Sequence, residues 1–182
     1  TMIPVEYLWL ALILVFGVTG MVRGLWKELG VTTVLLLSLF VLTFGWKQVG
    51  SRIVEAIPGQ ASAATIEALY YIIPVLFVSF IAYEGISLEF PEREMKGLFK
   101  GLLGLPGGLL NGYLIVGTIW DAVDKADYFG LEVPLGSTGA TVMVSDSLTN
   151  LNATLVQYLP SFVNEFVLLL LGMILLVAII LK

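Results

Sequence analysis

The chain has 182 residues, 58% hydrophobic and only 13% charged, with a formal net charge of −5 and a mean hydropathy of +0.98. Soluble domains carry about a quarter charged residues, so the composition excludes an ordinary soluble domain, and acids scattered through the connections argue against a nucleic-acid partner. Cysteine and histidine are both absent, which removes disulfides, thiol chemistry, imidazole catalysis and the usual zinc or haem ligation, so no cofactor or metal is expected.

A membrane-crossing helix needs about 20 mostly apolar residues. Runs at 5–22, 29–46, 68–88, 102–120 and 162–181 meet that requirement. They predict an all-α integral membrane protein, a bundle of four to five transmembrane helices forming one membrane domain over 1–182. The opening Thr1-Met2-Ile3-Pro4 lacks a basic region and a cleavage site, so the first run reads as a retained span. Trp9, Trp26, Trp46 and Trp120 fall at or just beyond run ends, as an interfacial aromatic belt requires.

Between the first two runs lies Gly20-Met21-Val22-Arg23-Gly24-Leu25-Trp26-Lys27-Glu28. Arg23 and Lys27 are four apart, as are Gly20 and Gly24, so charge and small size each take one helical face. The segment from Arg23 to Glu28 is expected to be a tight turn, with Arg23 and Glu28 locking the hairpin. After the second run, Val49, Ile53 and Ile57 recur every four residues before Pro58-Gly59, predicting a short surface helix, and the segment 59–65 then reads as a small-residue linker or the start of the next helix.

The third run carries Pro74 and ends near Glu84, the deepest carboxylate by position. Intramembrane carboxylates are functional candidates, although one near an interface also suits a structural pairing. A charged link at 89–100 leads into the fourth run, where Gly97 and Gly101 are four apart and Gly104, Gly108 and Gly112 form a second such series. That spacing lets helix backbones approach closely, which makes the fourth helix the central strut. A sharper alternative is a helix broken at Pro106-Gly107-Gly108, with Glu84, Pro106 and Asn111 lining a polar pathway.

The segment 121–160 is the longest polar stretch. Leu148, Leu151, Leu155 and Leu159 recur at helical spacing opposite Asn150, Asn152 and Gln157, predicting an outer amphipathic helix lying on the membrane surface. Pro160 ends it and launches the last run. With the N-terminus outside, one side receives Arg23, Lys27, Arg93, Lys96, Lys100 and Lys182, against Lys47, Arg52 and Lys125 on the other. The richer side is expected to be cytoplasmic, which places the C-terminus there if all five runs span.

Enzyme chemistry lacks parts. Ser38 and Ser79 have no His or Lys base at their depth, no Asp falls inside a run, and no phosphate-binding loop is present. An internal echo joins Arg23-Gly24-Leu25-Trp26-Lys27 with Lys96-Gly97-Leu98-Phe99-Lys100, the pattern of two parallel hairpin repeats.

The stretch Gly20-Met21-Val22-Arg23-Gly24-Leu25-Trp26-Lys27-Glu28-Leu29-Gly30 resembles the signature of the bacterial colicin V production protein family (CvpA-like). There an apolar helix ends in Gly-x-x-Arg-Gly and is followed by an aliphatic, a basic residue and Glu. The glycine-rich entry at 96–111 and Leu159-Pro160 are also similar; the resemblance covers about residues 5–160, with its specific motif at 20–30. It implies a small multi-pass protein of the bacterial inner membrane with about four spans and no established enzymatic activity, linked to colicin V production and envelope homeostasis. The fifth run departs from that plan. The expected role is a scaffold or envelope-maintenance factor. An accessory subunit of a larger respiratory or photosynthetic membrane complex is the alternative, and a channel or carrier the third reading. Expected partners are the lipid bilayer and either a membrane protein or a second copy of the chain.

Overall fold

A computed structural model describes residues 5–57, 62–85, 98–130 and 164–181, and every regular element among them is helical. The helices are α1 (Val5–Arg23), α2 (Leu25–Ala56), α3 (Ala63–Glu84), α4 (Leu98–Lys125) and α5 (Glu165–Ile180), with a short 3-10 turn at Asp127–Gly130 after α4. Apolar runs of this length satisfy their backbone polar groups within one segment only as helices. α2, α3 and the Gly101–Lys125 part of α4 are long and apolar enough to cross a membrane; α1 and α5 are shorter apolar helices.

Local signals set the ends. The Ser62 hydroxyl accepts a hydrogen bond from Thr65 N at the start of α3, and Asn164 Oδ1 accepts from Phe166 N at the start of α5; both occupy orphan donors of a first turn. Between α1 and α2 the reversal takes a single residue. Gly24 adopts φ 90° and ψ 158°, a conformation essentially restricted to glycine. The turn expected over Arg23 to Glu28 therefore narrows to Gly24, and Lys27 and Glu28 lie in the first turn of α2.

Two further expectations change. The surface helix around Val49 and Ile53 is the end of α2, which runs unbroken for 32 residues, about 48 Å at 1.5 Å per residue. That is several turns longer than a ~30 Å hydrocarbon layer requires. α4 also runs unbroken through Pro106. Pro106 lies on an exposed face of α4, and Leu102, whose carbonyl loses its usual donor there, is exposed as well. The outer helix expected around Leu148, Leu151, Leu155 and Leu159 lies outside the described residues, as do Gly97, Lys96, the 89–97 link and Pro58-Gly59.

α1 packs antiparallel on α4, and α2 packs on α3, α4 and α5. The cross-helix contacts set the directions: Glu28 meets Tyr83 while Tyr70 meets Leu42, so α2 and α3 are antiparallel. Val31, Leu35, Leu39, Val75, Leu114, Ile115 and Leu168 form the apolar core. Large apolar side chains also cover the outside, among them Leu14, Val15, Ile73, Phe77, Phe80, Leu170 and Ile174, a surface compatible with a membrane location.

Candidate functional site

The most concentrated polar chemistry among the described residues is a buried cluster where the end of α1, the start of α2, the end of α3 and the middle of α4 converge. Glu28 and Asn111 are fully buried, and Thr32 is 1% exposed. Arg23 Nε lies 3.0 Å from Glu28 Oε1 as an ion pair, without the alignment of a directed hydrogen bond. Arg23 Nη1 donates to Tyr83 O at 2.9 Å, and the guanidinium stands 4.7 Å from the Tyr83 ring centroid.

Glu28 Oε2 accepts from Tyr83 OH at 3.0 Å and from Asn111 Nδ2 at 2.7 Å. Asn111 Nδ2 also donates to Glu28 O at 3.0 Å. Thr32 Oγ1 lies 2.7 Å from Asn111 Oδ1 and 2.8 Å from Glu28 O; its one proton is shared between these two acceptors. Both donors of the Asn111 amide and its oxygen are thereby engaged, which fixes the amide orientation.

Helix polarity favours this arrangement. Arg23 closes the C-terminal turn of α1 and caps a carbonyl in the last turn of α3, while Glu28 sits in the first turn of α2. Cations at helix C-termini and anions at N-termini each gain about 0.3–1 kcal/mol, more where partly buried. Because the pair is enclosed, the desolvation cost is large, and removing one partner leaves an uncompensated buried charge. The cluster's chemistry is that of a lock between four helices.

Glycine lets the helices come this close. A Cβ added at Gly107 would lie 2.9 Å from Glu28 Cβ, and one at Gly20 would lie 2.7 Å from Gly108 Cα. Gly104 and Gly108 meet backbone oxygens of Gly20 and Phe16, and a Cβ at Gly112 would sit 2.8 Å from Phe16 Cβ. Gly101 is looser, 3.3 Å from Met21 O by the same construction. Gly20, Gly101, Gly104, Gly108 and Gly112 therefore all lie along the α1–α4 seam, and Gly24 makes the turn.

Of the hairpin residues, Arg23 and Glu28 enter the cluster, while Lys27 is partly exposed on the first turn of α2. Glu84, Pro106 and Asn111 are separated: Glu84 is exposed at the end of α3, Pro106 faces outward, and Asn111 is enclosed. The enclosed carboxylate is Glu28, not Glu84. Sequence reasoning missed Thr32 and Tyr83, and it read Gly107 as part of a helix break instead of the close contact that admits Glu28. The signal for Thr32 was its place four residues after Glu28, on the same helical face; no local pattern marks Tyr83, whose role depends on α3 packing against α2.

A second polar group closes the opposite end of the bundle. Lys47 Nζ lies 2.6 Å from Glu165 Oε2, joining α2 to α5, and Lys125 Nζ lies 2.8 Å from Asp121 Oδ2 within α4. Trp9 stacks on Trp120 with ring centroids 6.1 Å apart. Among the described residues no group of three or more acidic side chains gathers at metal-binding distance. No family model, curated protein or solved structure matches the chain.

Proposed function

We propose that this chain is a non-enzymatic, multi-pass protein of the bacterial inner membrane that resembles the colicin V production family and acts as a scaffold or envelope-maintenance factor. The supporting observation is the buried Arg23–Glu28–Tyr83–Asn111–Thr32 cluster. Its polar groups engage one another across four helices, as a structural lock does. A transport pathway instead needs polar groups facing a continuous cavity. In the proposed orientation the Arg23 end is cytoplasmic, and with five spans the C-terminus lies on that same side.

The test is a deletion strain challenged with detergents and envelope stress, complemented with wild type and with an Arg23→Leu, Glu28→Leu double variant. The reading expects loss of complementation together with loss of assembled protein. Equal assembly and complementation by both forms would refute the lock.

One observation favours a second reading, an accessory subunit of a larger respiratory or photosynthetic membrane complex. α5 packs chiefly on α2 through Leu168 and Gly172, leaving Phe166, Leu170, Ile174 and Ile180 exposed. Extraction in mild detergent with native-size analysis separates the two readings: a lone monomer or dimer supports the scaffold, and a defined large assembly supports the subunit.

A further inference from the structure

At the end of the bundle opposite the Glu28 cluster, a cavity of about 120 Å³ lies between α2, α3, α4 and α5. Leu39 and Leu168 form its apolar walls, Thr43, Tyr71 and Thr118 contribute hydroxyls, and the Asp121–Lys125 pair stands beside them. At ~30 Å³ per liquid water this space equals about four waters. A part-open pocket whose apolar walls carry hydroxyls and an ion pair is normally filled by something that hydrogen-bonds.

The walls define what fits. Thr118 donates its only hydroxyl proton to Leu114 O at 2.6 Å, so toward the cavity it can only accept. The Asp121 side chain is 11% exposed, whereas its partner Lys125 is 51% exposed. The Asp121–Lys125 pair thus sets its carboxylate toward the inner part, beside the Thr118 acceptor, and its ammonium at the rim. A primary ammonium, with three donors and a positive charge, matches the interior; a phosphate matches the Lys125 rim.

Position narrows the source. Asp121 follows Trp120, which is buried and stacks on the half-buried Trp9 instead of facing an interfacial belt; the exposed Lys47 and Lys125 side chains place this end at a headgroup level. α5 leans on α2 rather than on α4, so the α4–α5 side is unsealed among the described residues. We propose that this cavity binds the headgroup of an ethanolamine phospholipid, with its ammonium on Asp121 and Thr118 and its phosphate on Lys125. Choline lipids lack ammonium donors, and glycerol headgroups lack the cation. The inference rests on membrane placement and is independent of the scaffold role.

The experiment is native mass spectrometry of the purified full chain, delipidated and then equilibrated with equal amounts of phosphatidylethanolamine, phosphatidylcholine and phosphatidylglycerol. The expected result is about tenfold more ethanolamine adduct than either other lipid, the scale of one charge-assisted hydrogen bond. Equal retention of all three, or preference for phosphatidylglycerol, overturns the proposal. Asp121→Asn should reduce the ethanolamine adduct to the choline level, and Thr43→Phe, which fills the cavity and leaves the ion pair intact, should abolish it. Undiminished adduct in both folded variants overturns the assignment. Soluble phosphoethanolamine is a further arm: binding it as tightly as the lipid overturns the lipid source, and weak competition supports it.

Discussion

Replacing Glu28 by Gln keeps the shape and an acceptor oxygen for Tyr83 and Asn111 but removes the charge that faces Arg23 at 3.0 Å. Glu28 is fully buried, and Arg23 is 22% exposed with its guanidinium held on Tyr83. Breaking an enclosed pair from one side costs about 3–5 kcal/mol, because the remaining charge stays desolvated. A lone membrane hydrogen bond averages only ~0.6 kcal/mol, so the charge dominates. Glu28→Gln and Arg23→Met are each expected to cost at least about 3 kcal/mol. The double variant leaves neither charge stranded and should cost about 2 kcal/mol less than the sum of the two singles. Reversible unfolding of the full chain in mixed micelles, followed by helicity, measures all four corners of the cycle. Additivity within about 0.5 kcal/mol, or single costs below about 1 kcal/mol, would refute the buried-lock reasoning.

Asn111→Leu removes two donors to Glu28, one of them to the carboxylate, and should destabilise by about 2–4 kcal/mol in the same assay. Gly20→Val drives a side chain into the backbone of Gly104 and Gly108 and is expected to reach or exceed the ~1–3 kcal/mol of ordinary overpacking. Gly101→Ala, with 3.3 Å to Met21 O, should cost under about 1 kcal/mol; equal costs for the two would show that the seam is not tight where described. Gly24→Ala meets φ 90° and should lose about 1–3 kcal/mol through backbone strain alone. The cysteine-free background allows clean single-cysteine labelling: Lys27→Cys and Ser51→Cys should react with impermeant maleimide from opposite sides, Lys27→Cys from the cytoplasm. Labelling of both from one side would overturn the crossing of α2.

Much of the architecture was legible in residue order because each apolar helix is a local object. Apolar length and tryptophan at run ends mark elements without reference to any partner, whereas the caps Ser62 and Asn164 emerged only from the structure. α2 and α4 nevertheless exceed their apolar runs, since helical backbone continues past the hydrophobic window when nothing breaks it. Val49 and Ile53 therefore extend α2 instead of starting a new helix, and Pro106 sits on the exposed face of an unbroken α4 instead of at a break.

For the candidate site, sequence by itself determined that Arg23, Lys27 and Glu28 carry the charge of the first hairpin and that glycine spacing gives α4 a face for close approach. Tertiary structure alone decided which carboxylate is enclosed. Glu84 looked deeper along its helix, but it ends α3 in the open, while Glu28 is covered because α4 comes in on Gly107 and α3 delivers Tyr83. Depth along one helix follows from counting residues. Burial at a given depth depends on which faces of other helices arrive there, and no spacing within a single helix contains that information.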